Sequence, residues 1–305
     1  MYSQYGEAFL ARLEANAWKL TVLDERPQNA FQRDVGAYAA IVAFSKTTRK
    51  PKASDKKSVR GSIRETHAQL IKRMGSIVDA GCEIKVGPAL GAGRTYIAER
   101  RYPPAIEAEL LRPFISRGDL NGVTLSHSDG LVVSPYDRHG RLVALKEWPH
   151  FAKWAHRNST VLKGRSIVRS NSLKWWRTID AITPIWNVEA KLLIPEMTKD
   201  FLCTLDTSGG VPAHSIYAIF SSAWPPVALA NVLNAGLLRL TAQAQAPAMQ
   251  GGWYRMYKKY LSQVPLPNWD ELSGPQKRTL MHRNGAAFDD AFLAIFGFSP
   301  TQPTD

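Results

Sequence analysis

The sequence predicts an α+β protein, in which a β-rich unit with helices occupies most of the chain. Short apolar stretches divided by Gly, Pro and Asn fill residues 83–206, and this spacing is typical of short strands in a mixed or antiparallel sheet. Apolar residues at helical spacings lie on either side of that region. The hydrophobic fraction of 45% and the charged fraction of 21% are those of a globular protein.

The N-terminal residues predict a helix followed by two strands. Apolar side chains at helical spacing predict a helix over residues 5–20, and Thr21–Leu23 is typical of a short strand. The continuous apolar run Ala37–Phe44 predicts a buried strand. A stretch almost without large apolar side chains follows and predicts an exposed basic linker, after which a helix is expected over Ile63–Ala80.

The later elements follow the same reasoning. Five strand-like stretches lie in the β-rich region: EIKVGPALG, RTYIAE, GLVVSPYD, RLVALK and AKLLIPEM. A further strand is expected in SIYAIFSS, and Pro225-Pro226 predicts the start of a helix. A last amphipathic helix is expected over residues 276–296. The predicted organisation has four parts: residues 1–45, a basic linker at 46–62, the β-rich unit at 63–270, and a C-terminal helix with its tail at 271–305.

The charge points to a polyanionic partner. The chain has 39 Lys and Arg residues against 26 Asp and Glu residues, a net charge of +13. Residues 138–177 hold ten basic residues, one acidic residue and four tryptophans. Basic residues interleaved with aromatic ones suit a nucleic-acid surface, and the alternative is a solvated basic face over a tryptophan-rich core.

Several classes of protein are excluded by composition. No apolar run approaches the roughly 18 residues that a transmembrane helix needs, so no membrane partner is expected. The N-terminus carries Glu7 and Glu14 and lacks the order of a secretory signal, so a cytoplasmic protein is expected. Cys82 and Cys203 lie far apart outside any CxxC pattern, which predicts two buried thiols and neither a disulfide scaffold nor a metal site.

Motifs for methyl transfer to a base are missing from the sequence. Such chemistry needs an Asn/Asp/Ser-Pro-Pro-aromatic loop around a flipped base, and Ser134-Pro135-Tyr136 is one proline short of it. The glycines of Gly87–Gly93 follow a strand but precede another strand, which argues against a cradle for a nucleoside cofactor. No catalytic residue for methyl transfer is therefore assigned.

A metal-dependent nuclease is the catalytic alternative. Asp180, Glu189 and Lys191 match the loose spacing in which two carboxylates hold Mg²⁺ while a lysine orients water. The alternative interpretation of Lys191 is an ordinary strand entry with a snorkelling side chain.

Two stretches predict DNA contacts. In residues 248–260, Gly251 and Gly252 would let the backbone approach DNA closely beside Trp253 and Tyr254; a glycine turn with an aromatic core is the alternative. In 173–177, paired tryptophans predict a core flanked by phosphate contacts. The predicted phosphate contacts are Lys163, Arg165, Arg169, Lys174, Arg177, Arg255, Lys258 and Lys259. The predicted base contacts, chosen for side-chain chemistry, are Arg94, Gln243, Gln245 and Gln250.

The order of segments over residues 84–267 resembles the target-recognition region of TaqI-like and type IIG N6-adenine DNA methyltransferases. IKVGPALGAGRTYIAE at 84–99 is similar to the strand–Gly–strand opening of that region. Further segments resemble its later elements in family order: ELLRPFISRGDL at 109–120, VVSPYD at 132–137, LKGR at 162–165, KWWRTID at 174–180, KLLIPEM at 191–197, VALANVLNAGLL at 227–238 and GGWYRMYKKYLSQVPLP at 251–267.

The N-terminal residues resemble the end of the same family's α/β methyltransferase domain, downstream of its catalytic loop. The resemblance implies that residues 1–45 are a remnant of that domain and that double-stranded DNA is the partner. It implies S-adenosylmethionine as the cofactor of the full-length family, with none expected in this chain, and recognition of DNA without methyl transfer. An alternative function is that of the specificity or interaction subunit of a split enzyme, in which a separate methyltransferase or restriction polypeptide docks on residues 1–44.

Overall fold

A computed structural model describes residues 18–24, 41–46, 59–125, 127–170, 172–188, 190–282 and 285–297. The protein is an α+β structure, as predicted from the sequence. No helix within these ranges is long and apolar enough to cross a membrane.

The described strands form four sheets. Their bounds are β1 Trp18–Asp24, β2 Ile41–Lys46, β3 Cys82–Val86, β4 Ile97–Glu99, β5 Leu111–Ile115, β6 Thr124–Leu125, β7 Gly130–Val133, β8 Lys191–Pro195, β9 Met197–Thr198, β10 Thr204–Asp206, β11 Val211–Pro212, β12 Ile216–Ser221, β13 Ala248–Met249 and β14 Trp253–Arg255. The sheet orders are β1-β2, β3-β12-β8-β10-β6, β11-β5-β7-β4 and β13-β14-β9.

The described helices lie before, between and after these sheets. Their bounds are α1 Val59–Met74, α2 Pro149–Arg157, α3 Ser159–Lys163, α4 Ser166–Ser170, α5 Pro226–Val232, α6 Leu238–Gln245, α7 Lys258–Leu261, α8 Gly274–Met281 and α9 Gly285–Phe296. Helix α1 ends where Gly75 takes a φ of +83°, a left-handed conformation that glycine adopts at little cost. A π-turn at Leu233–Leu237 joins α5 to α6.

The middle strands of the five-stranded sheet, β12, β8 and β10, are buried on both faces and lie between two hydrophobic cores. All five residues of β8 are buried. Leu192 and Ile194 contribute to a core with the helices α5, α6, α8 and α9, whereas Leu193 contributes to a second core with the β11-β5-β7-β4 sheet and α2–α4. Alternation of side chains along a strand explains why neighbouring residues of β8 belong to different cores.

A buried ion pair crosses the central sheet. Lys191 and Asp206 face each other in the antiparallel register of β8 and β10, with 2.5 Å between Nζ and Oδ2 and no exposure of either side chain. Lys191 also donates to the carbonyl oxygen of Trp186 at 3.2 Å, and Asp206 Oδ1 accepts from the backbone and hydroxyl of Ser208. Burial lowers the pKa of Lys191, and the hydrogen bond to Asp206 opposes that shift.

Most predicted strands are confirmed, with shorter bounds than the sequence predicts. Residues 21–23 lie in β1, but the helix predicted over 5–20 gives way at Trp18–Leu20 to that strand, and its remaining residues lie outside the described part. β2 contains Ile41–Phe44 of the predicted strand. The helix predicted to start at Pro225-Pro226 is confirmed by α5.

The strand predicted in RLVALK is wrong, as is the single C-terminal helix. The Asp137 carboxylate accepts from the backbone of His139 and Arg141, which turns the chain so that only Leu142 bridges back to Tyr136 before a 3₁₀ turn at Leu145–Glu147. The C-terminal residues form two helices, α8 and α9, whose apolar side chains pack into the same core as α5 and α6. The predicted four-part organisation stays a prediction.

Candidate nucleic-acid interface

The glycine pair predicted to approach DNA forms the tip of a small three-stranded sheet. Gly251 and Gly252 have φ values of +72° and +78°, and both are exposed between β13 and β14. A Cβ added at Gly252 would meet no heavy atom within 4 Å, so its glycine identity follows from backbone conformation rather than packing. The tip is therefore open to a ligand, with half-buried Trp253 and Tyr254 directly behind it.

Two cations that the sequence reasoning missed lie over the ring of Trp253. The guanidinium carbon of Arg117 is 4.9 Å from the ring centroid and the ammonium nitrogen of Lys199 is 5.5 Å away. Arg117 also donates from Nη1 to the carbonyl oxygen of Met197. Both side chains are exposed, so the two positive charges held over the ring are accessible from solvent. We call Arg117, Lys199 and Trp253 the Trp253 surface; the ring of Tyr254 instead packs against Phe201 and the hydrophobic core.

More basic residues continue from the Trp253 surface along the chain. Arg255 is half-buried and its Nε lies 2.8 Å from the Glu196 carboxylate, a hydrogen bond that raises the pKa of Arg255. Lys258 and Lys259 are exposed at the start of α7, and Lys259 Nζ lies 4.8 Å from the ring of Tyr260. These two lysines are free to meet phosphates, whereas Arg255 is already partly neutralised.

The tryptophan-rich block forms a second basic face. Trp175 is buried, with Lys163 Nζ 4.9 Å from its ring, and it packs edge-on against Trp176. Lys163 and Lys174 are exposed and Arg177 is half-buried. The side chain of Arg169 lies outside the described residues. A core tryptophan flanked by exposed bases is the arrangement predicted for this stretch.

Arg165 is a correction to the predicted phosphate contacts. It is 8% exposed, and its guanidinium donates to the carbonyl oxygens of Leu162 at 2.8 Å, Trp175 at 2.6 Å and Leu90 at 3.4 Å. The group also lies over the ring of Tyr96, with 5.6 Å between Cζ and the centroid. A guanidinium held this way joins three segments of the chain and has no path to a phosphate.

The predicted base contacts do not lie together on one element. Gln243 and Gln245 are half-buried on α6, and Gln250 is exposed on the turn that precedes Gly251. Arg94 is exposed on the 3₁₀ turn Gly93–Thr95, next to the sheet of the second core. The structure gives these four side chains no shared contact, so their roles remain predictions.

The structure contradicts the role predicted for Lys191 in a nuclease site. Lys191 is fully buried and paired with Asp206, so it cannot orient water at an open metal site. Asp180 is exposed and accepts from the backbone of Ala89 at 2.9 Å, while Glu189 lies outside the described residues. Within the described ranges no group of three or more His, Cys, Asp and Glu side chains could hold a metal ion.

The glycine-rich segment Gly87–Gly93 does not fit a methyl-donor nucleoside. A Cβ at Gly87 would come within 2.2 Å of the Ala213 carbonyl oxygen and 2.4 Å of that of Pro212, so this glycine allows two backbone segments to pass closely. The segment leads through the turn Gly93–Thr95 into β4 rather than opening a helix. This segment therefore does not form a cradle for S-adenosylmethionine, a cofactor that the methyltransferase relatives imply for the full-length family.

Comparison with known proteins relates the chain to modification enzymes. The type II methyltransferase M.XhoI of Xanthomonas vasicola is 28% identical over 212 residues, 70% of this chain and 39% of that protein. The type II methyltransferase M.PaeR7I of Pseudomonas aeruginosa is 28% identical over 225 residues, 72% of this chain and 39% of that protein. This chain is a homologue of part of the type II methyltransferases. The resemblance stated from the sequence is therefore confirmed.

The homologous chain spans about two fifths of the length of these methyltransferase relatives. A solved structure shares its fold: the type IIL restriction-modification enzyme MmeI, in complex with DNA, matches 73% of this chain and 33% of its own chain. The TM-score is 0.50 at 12% sequence identity. No protein-family model matches the chain.

Proposed function

We propose that this methyltransferase homologue supplies sequence-specific recognition of double-stranded DNA for a restriction-modification system. The Trp253 surface is the observation that carries the proposal, because an open glycine turn, one aromatic ring and two cations meet there. Exposed Lys258 and Lys259 extend the positive charge along the chain. A net charge of +13 gives the sequence-independent part of such binding.

Adenine N6 is the proposed target of the methylation that this recognition serves. Support comes from the ordered segments over residues 84–267, which resemble N6-adenine enzymes. The proposal assigns methyl transfer with S-adenosylmethionine to residues other than these 305, which have no Asn-Pro-Pro-Tyr loop. Docking of a separate methyltransferase or restriction polypeptide on residues 1–44, and a cytoplasmic location, are parts of the same proposal.

The salt dependence of duplex binding tests the part of the proposal that concerns DNA recognition. The logarithm of the association constant for duplex DNA should fall linearly with the logarithm of salt concentration. Lys258→Ala and Lys259→Ala should each reduce the magnitude of that slope by about 0.9, because each removes one phosphate contact. Fluorescence anisotropy with labelled duplex DNA measures the slope.

Lys72→Ala is the matched control for these two variants. Lys72 is exposed on α1 and lies outside the Trp253 surface, so its loss should leave the slope unchanged. Equal slopes for the wild type and the three lysine variants would show that the two lysines of α7 do not contact DNA. A wild-type chain that fails to bind duplex DNA at low salt would refute the proposed function.

A methylation assay tests the other half of the proposal. The purified chain, incubated with duplex DNA and radiolabelled S-adenosylmethionine, should transfer no methyl group, since its sequence contains no Asn-Pro-Pro-Tyr loop to hold a flipped base. Methyl incorporation by the single chain would contradict the assignment of catalysis to other residues, while leaving DNA binding to be judged separately.

A further inference from the structure

A cavity of about 310 Å³ opens beside the Trp253 surface. Its lining includes the polar residues Arg117, Asn121, Thr198 and Asp200 and the apolar residues Leu120 and Leu202. A concave site with a few convergent polar groups on an apolar wall is the usual form of a specific binding site, and this volume is near the lower end of the ordinary range.

The Arg117 side chain is fixed at the mouth of this cavity. Arg117 begins a 3₁₀ turn directly after β5, and the Asp119 carboxylate closes that turn by accepting from the backbone and hydroxyl of Ser116 at 2.7 and 2.9 Å. Nη1 donates a hydrogen bond to the Met197 carbonyl oxygen, and the guanidinium group lies over the ring of Trp253. A side chain held at both ends loses little further freedom when it binds.

The segment Thr198–Leu202, which contributes Thr198, Asp200 and Leu202 to the cavity lining, is also held in a constrained conformation. Phe201 has a φ of +53°, and no other non-glycine residue in the described ranges has a positive φ. Its backbone N–H donates to Thr198 Oγ1 at 3.1 Å. Its ring packs against the ring of Tyr254, with 5.4 Å between the two ring centroids. Such backbone conformations persist where the surroundings hold them and they cluster at binding sites. The turn that carries Lys199 and Asp200 is thus anchored by the packing of Phe201 against Tyr254.

We propose that Arg117 reads a guanine base in the major groove, and that this cavity receives the edge of that base pair. With Nη1 engaged by Met197, the Nε and Nη2 hydrogens have no partner among the described residues and form the paired donors that O6 and N7 of guanine accept. Asp200, which is exposed and lines the same cavity, has the acceptor that the cytosine amino group requires. This inference rests on the proposed function, and it adds the base read and the residue that reads it.

Selection of sequences from a randomised duplex library tests the assignment. The wild-type chain should enrich a motif, and Arg117→Lys should lose the preference for guanine at one position while it keeps the charge. The expected loss of discrimination is roughly 5- to 150-fold, the range for one bidentate pair. Lys199→Ala, on the same ring, is the matched control and should weaken all sequences alike without changing the motif.

The outcomes separate this inference from the proposed function. An Arg117→Lys variant that keeps the whole motif, or that weakens all sequences uniformly, makes Arg117 a phosphate contact and overturns the inference with the proposed function intact. A wild-type chain that enriches no motif refutes the proposed function itself. Arg117→Ala is the second variant, and circular dichroism spectra matching the wild type ensure that a lost motif reflects recognition rather than unfolding.

Discussion

Lys191→Ala is expected to lower the free energy of unfolding by about 3–5 kcal/mol, the cost of removing one member of a buried ion pair. Both side chains are fully buried, so the substitution would leave the Asp206 side chain without its ion-pair partner in the interior. The neighbouring Arg112 is buried too, with its pKa lowered to about 10 by burial, so it stays protonated near neutral pH. Arg112 already donates to Asn187 and Ile182 and is committed elsewhere.

Urea denaturation followed by tryptophan fluorescence measures this loss of stability. A double variant, Lys191→Met with Asp206→Asn, is the control, since it removes both charges and keeps an acceptor for Ser208. It should recover most of the lost stability, because an uncharged replacement leaves no unpaired charge in the core. A loss below about 1 kcal/mol for Lys191→Ala would show that water reaches Asp206.

The fold could be predicted from the sequence where hydrophobic patterning is local. The apolar runs of β8 and β12, and the proline pair before α5, have the composition of their elements and are confirmed. The helices α2–α4 were missed, because α2 mixes basic and aromatic residues and α3 and α4 are only five residues long each. Their burial depends on the second core, which joins segments distant in the chain.

The candidate site could be predicted only in part, for a related reason. The Gly251-Gly252 turn has a sequence signal because its φ values require glycine. Arg117 and Lys199 have no such signal, since they reach Trp253 from turns more than fifty residues away in the sequence. Arg165 shows the opposite case: composition cannot tell a guanidinium that faces phosphate from one that binds buried carbonyls.

Arg165→Ala is therefore expected to destabilise the fold by about 3 kcal/mol, because hydrogen bonds to a charged group contribute roughly 1.5–3 kcal/mol each and do not add fully. The substitution would leave the carbonyls of Leu162, Trp175 and Leu90 without their donor. Where the variant is still folded, its DNA affinity and salt slope should match the wild type. Thermal and urea denaturation measure the first effect, and fluorescence anisotropy measures the second.

Lys163→Ala is the matched variant, because Lys163 lies two residues away and is exposed over the Trp175 ring. Its loss should cost at most about 1 kcal/mol of stability, the value of an exposed cation–π contact. If this face contacts DNA as predicted, Lys163→Ala should reduce the magnitude of the slope of log association constant against log salt concentration by about 0.9. Arg165→Ala should therefore lower stability without changing DNA binding, whereas Lys163→Ala should change DNA binding with little loss of stability. An Arg165→Ala protein that is fully stable but binds DNA weakly would return Arg165 to the phosphate contacts, since a guanidinium that stabilises the fold cannot be removed without cost.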